Sequence, residues 1–465
     1  MSALTALSAL TLADKIQRRE VSAVEVVEAH IARIVESNPS TNAVVRYNFD
    51  GARREAEVAD ALIETRTPVG PFHGVPFTVK DCLDVEGMGS SCGLVSRRTH
   101  RATADAVVVA RMREAGAIVL GKTNLPDNCW AQETDSLLFG RTNNPLDVTR
   151  TVGGSSGGEA AVIAAHGSPM GIGTDIAGSI RLPAHFTGIV GFRPTSGTLS
   201  EIGNWPAPEG RLSELEAIGP MARNVGDVAA AFDVMRGAAP ELLETTSLRG
   251  RRVAFWSDDG VITSDAGVHQ AVTTAVNALV SFGMVPVASA PSARRLAGLG
   301  WTAMIADDER ASIARGFGNG ELWNPLRECL RGESRVSSGA LLYWCSSHYG
   351  SRLLRALGVD GLKWRKRLLT QLTELLGEGG VAVCPIFPTP APTHGWSMRT
   401  LGPVSTLSYQ VWVNLAGSPG LTVPIRRSRG ELPIGVQIVG LPGADRDVLA
   451  AGQAIEQALA QGERT

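Results

Sequence analysis

The chain has 465 residues, of which 44% are hydrophobic and 19% charged, so it can bury a large core and is not disordered as its main state. The 44 basic and 46 acidic residues nearly balance, which gives no charge-based reason to expect a nucleic-acid or membrane partner. The six cysteines form no CxxC pair and the eight histidines no HExxH motif, which argues against a disulfide scaffold and a metal site.

The N-terminal twenty residues lack the cationic start of a signal peptide. No apolar run approaches the roughly 18 residues that a membrane-spanning helix needs. These two observations predict a cytoplasmic protein without a membrane partner.

The first third of the chain alternates helical patterns with short apolar runs. Apolar residues at helical spacing predict a helix over 22–36, in which Ser22 and Glu25 have the spacing of a capping box. A second helix is predicted over 51–64, a buried strand over 74–81, a helix over 104–115 and a strand over 117–120. This alternation favours an α/β fold.

Glycine and serine concentrate between Thr151 and Thr198, but apolar pieces separate the turns, so this segment is not a flexible linker. Residues 145–152, with Pro, Asp and Arg, form a poor strand pattern. Further along, the patterns predict strands at 251–256, 381–392, 420–425 and 433–440, helices at 266–283 and 445–460, and a mainly helical stretch at 295–375.

Two lysines are candidate catalytic bases. Only five of the 44 basic residues are lysines, and lysine, unlike arginine, can lose its proton when it is desolvated. Lys80 lies in the apolar run VPFTVKD, where a neutral amine is expected, although a strand-end lysine paired with Asp81 or Asp84 in water is the alternative. Lys122, in GKTN, is expected to lie in a polar turn and to stay charged.

Two glycine-rich segments carry candidate serines. GGSSGG at 153–158 lacks the GK[ST] ending of a phosphate-binding loop, and its GxSxG match requires a preceding strand that the pattern does not support. In GTDIAGSIRLP, small residues precede Ser179, and successive backbone amides there can form an oxyanion hole. A glycine-rich turn between strands is the alternative for this second segment.

In combination, the lysine after GVPF, the GGSSGG segment and GTDIAGSIRLP, with the serines 24 positions apart, resemble the amidase signature family. FGRTNNP, GFRPTSG, IGPMAR and NLAGSPGLTVP extend the resemblance over nearly the whole chain, and it is weakest over 240–375. GSPMGIGTDIAGSIR resembles the fatty-acid-amide-hydrolase branch more than the tRNA-amidotransferase branch.

The resemblance implies a single amidase domain over 1–465, with an N-terminal helical segment over about 1–65 and a variable helical insertion over about 295–375. Its core would be a large twisted mixed β-sheet with helices on both faces. The resemblance assigns Ser179 as the nucleophile, Ser155 in a cis peptide as the bridging serine and Lys80 as the base. The backbone amides of Ile176, Ala177, Gly178 and Ser179 would form the oxyanion hole, supported by Ser156, Asp175 and Arg181. Ala177 replaces the glycine that is common in the family.

The implied activity is hydrolysis of a small or medium, hydrophobic or aryl carboxylic amide, and also of esters or hydrazides, through an acyl-enzyme. It needs no cofactor and no metal. The alternative is an acyl- or amido-transferase, including a glutamine-dependent amidotransferase subunit. Trp130 is a candidate for an aromatic substrate pocket, with an ordinary core position as the alternative. The expected partner is the small amide substrate, and the expected state is a monomer or homodimer.

Overall fold

The computed structural model describes residues 3–67, 69–208, 210–305, 325–332, 334–399, 406–425 and 431–462. Its strands are β1 Val44–Tyr47, β2 Pro76–Lys80, β3 Ile118–Thr123, β4 Asp135–Ser136, β5 Gly140–Arg141, β6 Asn143–Asn144, β7 Asp147–Thr151, β8 Met170–Asp175, β9 Val190–Arg193, β10 Ala217–Ala222, β11 Arg252–Phe255, β12 Val285–Val287, β13 Val381–Pro385, β14 Gly420–Ile425 and β15 Ile434–Val439.

The helices follow in the same chain order. They are α1 Ala3–Ala6, α2 Ala9–Gln17, α3 Ala23–Thr41, α4 Phe49–Glu64, α5 Val107–Glu114, α6 Gly157–Ala164, α7 Arg181–Thr187, α8 Val225–Met235, α9 Ala266–Ser281, α10 Ala297–Ile305, α11 Pro325–Leu330, α12 Ser338–Ala356, α13 Gly361–Leu376, α14 Trp396–Arg399, α15 Val411–Ala416 and α16 Asp445–Gly462.

Eleven strands of the described chain form one mixed sheet, in the order β1-β3-β2-β8-β10-β9-β14-β15-β13-β11-β12. β2 runs parallel to β3 and β8, and β11 runs parallel to β12 and β13, whereas the other neighbouring pairs are antiparallel. The predicted α/β class with a large mixed sheet is confirmed. Because β2 and β8 are neighbours, the ends of these two strands bring Lys80 and the segment after Asp175 together.

Helices cover both faces of this sheet, as the alternation along β13 shows. Val381 and Val383 belong to a core that includes residues of α9 and α16. Ala382 and Cys384 belong to a second core, which includes residues of α10, α13 and α15. Since successive side chains of a strand point to opposite faces, the two cores lie on opposite sides of the sheet.

The N-terminal segment contains the expected helices together with one strand. The capping box of α3 is present, since Ser22 Oγ accepts from Glu25 N at 3.0 Å and Ser22 N donates to Glu25 Oε2 at 2.8 Å. β1 pairs antiparallel with β3 at the edge of the sheet. The segment predicted as helical over about 1–65 therefore also contains the strand Val44–Tyr47, because a four-residue strand is too short to show a clear period.

Two local predictions are wrong. Lys122 does not lie in a polar turn: it belongs to β3, whose six residues are all buried between β1 and β2. The polar neighbours that suggested a turn are buried with it. Residues Asp147–Thr151 form strand β7, which pairs with β6 in a two-stranded sheet. The polar side chains of β7 fit there because the middle of that strand is exposed.

The mainly helical prediction over 295–375 agrees with α10 to α13 where the chain is described, while 306–324 lies outside the described residues. That this stretch is an insertion within one domain stays a prediction.

Candidate active site

Lys80 and Ser155 meet at the end of β2. The Lys80 side chain is fully buried, and its Nζ donates to Ser155 Oγ at 2.7 Å and to Thr174 Oγ1 at 2.8 Å. The alternative of a water-exposed lysine paired with Asp81 or Asp84 is therefore wrong. Thr174, the penultimate residue of β8, holds the amine from the second side, and no motif in the sequence indicated this contact.

The loop that carries Ser155 is anchored to β8 and to Ser179. The peptide bond between Gly154 and Ser155 is cis. Ser156 N donates to the carbonyl oxygen of Ser179 at 3.1 Å, and Ser156 Oγ donates to the carbonyl oxygen of Thr174 at 3.2 Å. A Cβ on Gly154 would lie 2.8 Å from the carbonyl oxygen of Ala131, so a glycine is required for this close approach. These contacts fix Ser155 relative to both the amine and Ser179.

Asp175 organises the turn that carries Ser179. Its Oδ1 accepts from Gly178 N at 2.8 Å, and its Oδ2 accepts from Ile180 N at 3.2 Å. Gly178 has φ +94°, and a Cβ there would meet Gln410 Oε1 at 2.4 Å, so no other residue fits. The carboxylate therefore fixes the backbone on both sides of Ser179, which is only 6% exposed.

The same contacts reduce the set of expected oxyanion donors. The Gly178 N–H already donates to Asp175 and is not free to hold an oxyanion. The N–H groups of Ile176, Ala177 and Ser179 donate to no other residue that the structure describes. Ala177 is not among the described residues with positive φ, so the alanine in place of the family's glycine introduces no backbone strain.

Arg181 and Arg193 balance the charge of Asp175. Arg181 Nε lies 3.0 Å from Asp175 Oδ2 and Arg193 Nε 3.9 Å from Oδ1, and all three side chains are fully buried. Burial alone would raise the pKa of Asp175, but the two guanidinium groups and the Asn414 amide hold it well below its usual range. Arg181 also donates to Gln437 Oε1 of β15 at 2.9 Å and to Asn414 Oδ1 of α15 at 2.7 Å, which ties this turn to the C-terminal part of the chain.

A cluster of three thiols, Cys82, Cys92 and Cys129, lies near the Lys80 amine. Burial lowers the pKa of Lys80, but the thiols, above all Cys129, and Glu216 favour the ammonium, and the pKa of Lys80 lies above its ordinary value. Hydrogen bonds from the other two thiols, together with the Lys80 charge, hold the pKa of Cys129 well below the usual range. Cys92 Sγ lies 3.8 Å from Cys129 Sγ. The expectation that Lys80 is neutral at rest stays a prediction, because the shift depends on the charge of Cys129.

Lys122 occupies a different environment. Its Nζ lies 3.7 Å from Asp81 Oδ1 and 3.3 Å from the carbonyl oxygen of Gly89. Burial lowers the pKa of Lys122, and the Asp81 carboxylate opposes this shift. Although Lys122 is easier to deprotonate than expected, its amine contacts Asp81 and Gly89, whereas the amine of Lys80 contacts a candidate serine.

A cavity adjoins the site. Ile176, Cys129 and Trp130 line it. That Trp130 belongs to a substrate pocket stays a prediction. Among the described residues, the wall is largely aromatic and aliphatic and contains one acidic residue, Glu216; the other large side chains that line it are Trp205, Tyr343, Leu212 and Ile305. A concave apolar site with few polar groups is typical of a small-molecule pocket.

Metal-binding clusters and membrane-spanning helices are both absent from the residues that the structure describes. These residues contain no cluster of three or more His, Cys, Asp or Glu side chains able to hold a metal ion. No helix in the described ranges is long and apolar enough to cross a membrane.

Comparison with known proteins decides the family. A family model described as Amidase matches residues 25–449. The chain belongs to the amidase signature family. Fatty-acid amide hydrolase 2-B of Danio rerio is 34% identical over 492 residues, covering 98% of this chain and 90% of that protein. A glutamyl-tRNA(Gln) amidotransferase subunit of Lachnospira eligens is 32% identical over 489 residues, covering 97% of this chain and 98% of that protein.

The fold agrees with this assignment. The crystal structure of a bacterial aryl acylamidase of the amidase signature family superposes with a TM-score of 0.83 at 25% identity, covering 98% of this chain and 97% of that chain. The resemblance inferred from the sequence, including its direction toward the fatty-acid amide hydrolases, is confirmed. The protein is a hydrolase that acts on carbon–nitrogen bonds.

Proposed function

We propose that this amidase hydrolyses small or medium carboxylic amides with hydrophobic or aryl groups, using Ser179 as nucleophile, Ser155 as bridge and Lys80 as base. The observation that carries the proposal is the 2.7 Å contact between Lys80 Nζ and Ser155 Oγ, on a loop hydrogen-bonded to Ser179. Serine is a poor nucleophile at its free pKa and needs such a base.

In the proposed mechanism Lys80 first loses its proton, which the raised pKa of this amine makes more demanding at neutral pH. The neutral amine then takes the proton of Ser155 while Ser155 takes the proton of Ser179. Ser179 Oγ attacks the amide carbonyl carbon, and the N–H groups of Ile176, Ala177 and Ser179 hold the oxyanion. The proton returns by the same route to the leaving amine, and water, activated in turn, hydrolyses the acyl-enzyme.

The substrate class follows from the cavity and agrees with the relatives. A pocket with mainly aromatic and aliphatic walls suits an apolar group of the substrate. Trp130 supplies part of this aromatic wall. The name of one relative specifies fatty-acid amides and that of a structural neighbour aryl acylamides, which supports testing both classes on this protein. Esters and hydrazides remain secondary candidates.

The second candidate function is transfer of the acyl group or of ammonia. It is favoured by the 32% identity to an amidotransferase subunit over nearly the whole chain. The purified protein alone should separate the two: a hydrolase consumes aryl and fatty amides without a partner, whereas the subunit function requires glutamine and partner proteins. The cytoplasmic location and the monomeric or homodimeric state stay predictions.

The test is a panel of p-nitroanilides, fatty amides and glutamine, with hydroxylamine added as a competing acyl acceptor. We expect hydrolysis of the aryl and fatty amides, and a Ser179→Ala variant should lose roughly a millionfold in kcat. Equal turnover by the wild type and this variant would exclude the assigned nucleophile. Turnover of glutamine together with no turnover of any aryl or fatty amide would favour the second candidate function.

A further inference from the structure

Glu216 is a carboxylate in a mainly apolar wall, to which Asn128 also contributes a polar side chain. It directly precedes β10, is partly buried, and lines the cavity that adjoins Ile176 and Cys129. The Asn204 side chain donates to Glu216 Oε1 at 3.0 Å and fixes its orientation. A charged group in such surroundings costs free energy unless a partner compensates for the lost water.

The described part of the chain supplies Glu216 with no ion-pair partner. The Lys80 amine nearby is directed at Ser155 and Thr174. Arg97 lies over the Trp205 ring, 3.7 Å from its centroid, and forms no ion pair with Glu216. Burial raises the pKa of Glu216 to about 7, and the nearby Glu201 carboxyl group disfavours a second negative charge, although the Asn204 hydrogen bond and Lys80 oppose the shift. Because no described cation pairs with Glu216, a positively charged ligand would compensate for its burial and favour its charged form.

The surrounding wall suits such a ligand as well. Trp130, Tyr343 and Trp205 line the same cavity as Glu216, and Arg97 covers one face of the Trp205 ring. Aromatic faces attract cations, by about 0.5–2 kcal/mol per ring depending on how far the cation is desolvated. A carboxylate together with aromatic rings is therefore a site for an organic ammonium group, with the rings also packing against its carbon skeleton.

We propose that Glu216 determines substrate specificity by binding a protonated amino group on the part of the substrate that enters this cavity. The preferred substrates are then amides that combine an aryl or aliphatic skeleton with an amine at a distance from the scissile bond. This inference rests on the proposed amidase function and specifies its substrate class.

Matched substrate pairs test the proposal. In the first pair the acyl half is para-ethylphenylacetyl or para-(aminomethyl)phenylacetyl, so that a methyl group is exchanged for an ammonium of similar size. In the second pair the same exchange is made on a benzylamine leaving group. The readout is the ratio of kcat/KM within each pair, which cancels effects common to both members.

We expect the wild type to favour the amino member of one pair by about tenfold or more, and Glu216→Gln to remove most of that preference, since a charge-assisted contact is about twice as strong as a neutral one. The glutamine introduced by this substitution can still accept from Asn204. The matched control is Glu28→Gln, which changes a surface glutamate paired with Arg53 and should keep the wild-type ratio.

Three results would overturn the proposal: wild-type preference for the ethyl member in both pairs, an unchanged ratio in Glu216→Gln, or an equal loss for both members. The last would mean that Glu216 acts only through Lys80. A separate experiment distinguishes failure of this proposal from failure of the amidase function. The primary amides of the two acyl groups of the first pair are titrated calorimetrically into the Ser179→Ala protein, which binds but does not turn over. If the Ser179→Ala protein binds the amino member more tightly and the Ser179→Ala/Glu216→Gln protein does not, the role of Glu216 is supported without turnover. Equal binding of both members to the Ser179→Ala protein contradicts it.

Discussion

Replacing Asp175 by asparagine tests how the turn at Ser179 is built. The substitution keeps the shape of the side chain but removes the charge that Arg181 and Arg193 balance, and all three groups are fully buried. Breaking a buried pair from one side typically costs about 3 to 5 kcal/mol, because the remaining charge stays buried and unpaired. The new amide N–H₂ group would also face groups that are themselves donors.

The full loss should appear at neutral pH. The folded-state pKa of Asp175 is depressed, so its contribution is complete above the unfolded-state value of about 3.9 and is lost only as the pH falls through the folded-state value. Since the carboxylate also holds the N–H groups of Gly178 and Ile180, we expect kcat to fall by about a hundredfold or more, as when one oxyanion donor is lost.

The assay is urea unfolding followed by tryptophan fluorescence, combined with kcat on the best anilide. Asp233→Asn is the matched control: Asp233 is fully buried and pairs with Arg236 at 3.0 Å and Arg446 at 2.8 Å, but these arginines are 34% exposed and can regain water. It should lose less stability and keep its kcat. An Asp175→Asn protein with wild-type unfolding or wild-type kcat would refute the reasoning.

Three further predictions concern the bases and the chemistry. Lys80→Met should lose several orders of magnitude in kcat/KM, whereas Lys122→Met should mainly lower the unfolding free energy because Asp81 loses a partner; steady-state kinetics and urea unfolding would show the reverse if the two roles were exchanged. Activity should rise with pH as Lys80 deprotonates. Cys129→Ser should move this rise about one to three pH units lower, since it removes the negative charge of the Cys129 sulfur, which favours the ammonium form of Lys80. A pH profile of Cys129→Ser that matches the wild type would contradict a charged Cys129. Dialysis against a chelator should leave activity unchanged, and a loss restored by metal would contradict the metal-free mechanism.

The sequence predicted those features that are local. Apolar runs located β2, β14 and β15, and the Ser22–Glu25 spacing located the start of α3. The sequence did not reveal β1 and β7, which are short or half exposed. Lys122 was misplaced because burial depends on the strands at its two sides, β1 and β2, and no pattern within GKTN records them.

The candidate site shows the same limit. The positions of Lys80, Ser155 and Ser179 could be named from motifs, whereas the charge of Lys80 could not, because it depends on Cys129 from another loop. Only Cys82, two residues after Lys80, was a local signal for the thiols. Likewise, nothing next to Gly178 in the sequence indicates that its N–H is taken by Asp175, since that requires the turn to be folded.

The most direct measurement for the Ser179–Ser155–Lys80 relay is labelling with a fluorophosphonate, followed by mass spectrometry of the intact protein and its peptides. The proposed mechanism predicts one adduct in the wild type, on the peptide that contains Ser179, no adduct in Ser179→Ala, and much slower labelling in Lys80→Met. An adduct on another residue, or labelling of Lys80→Met at the wild-type rate, would contradict it.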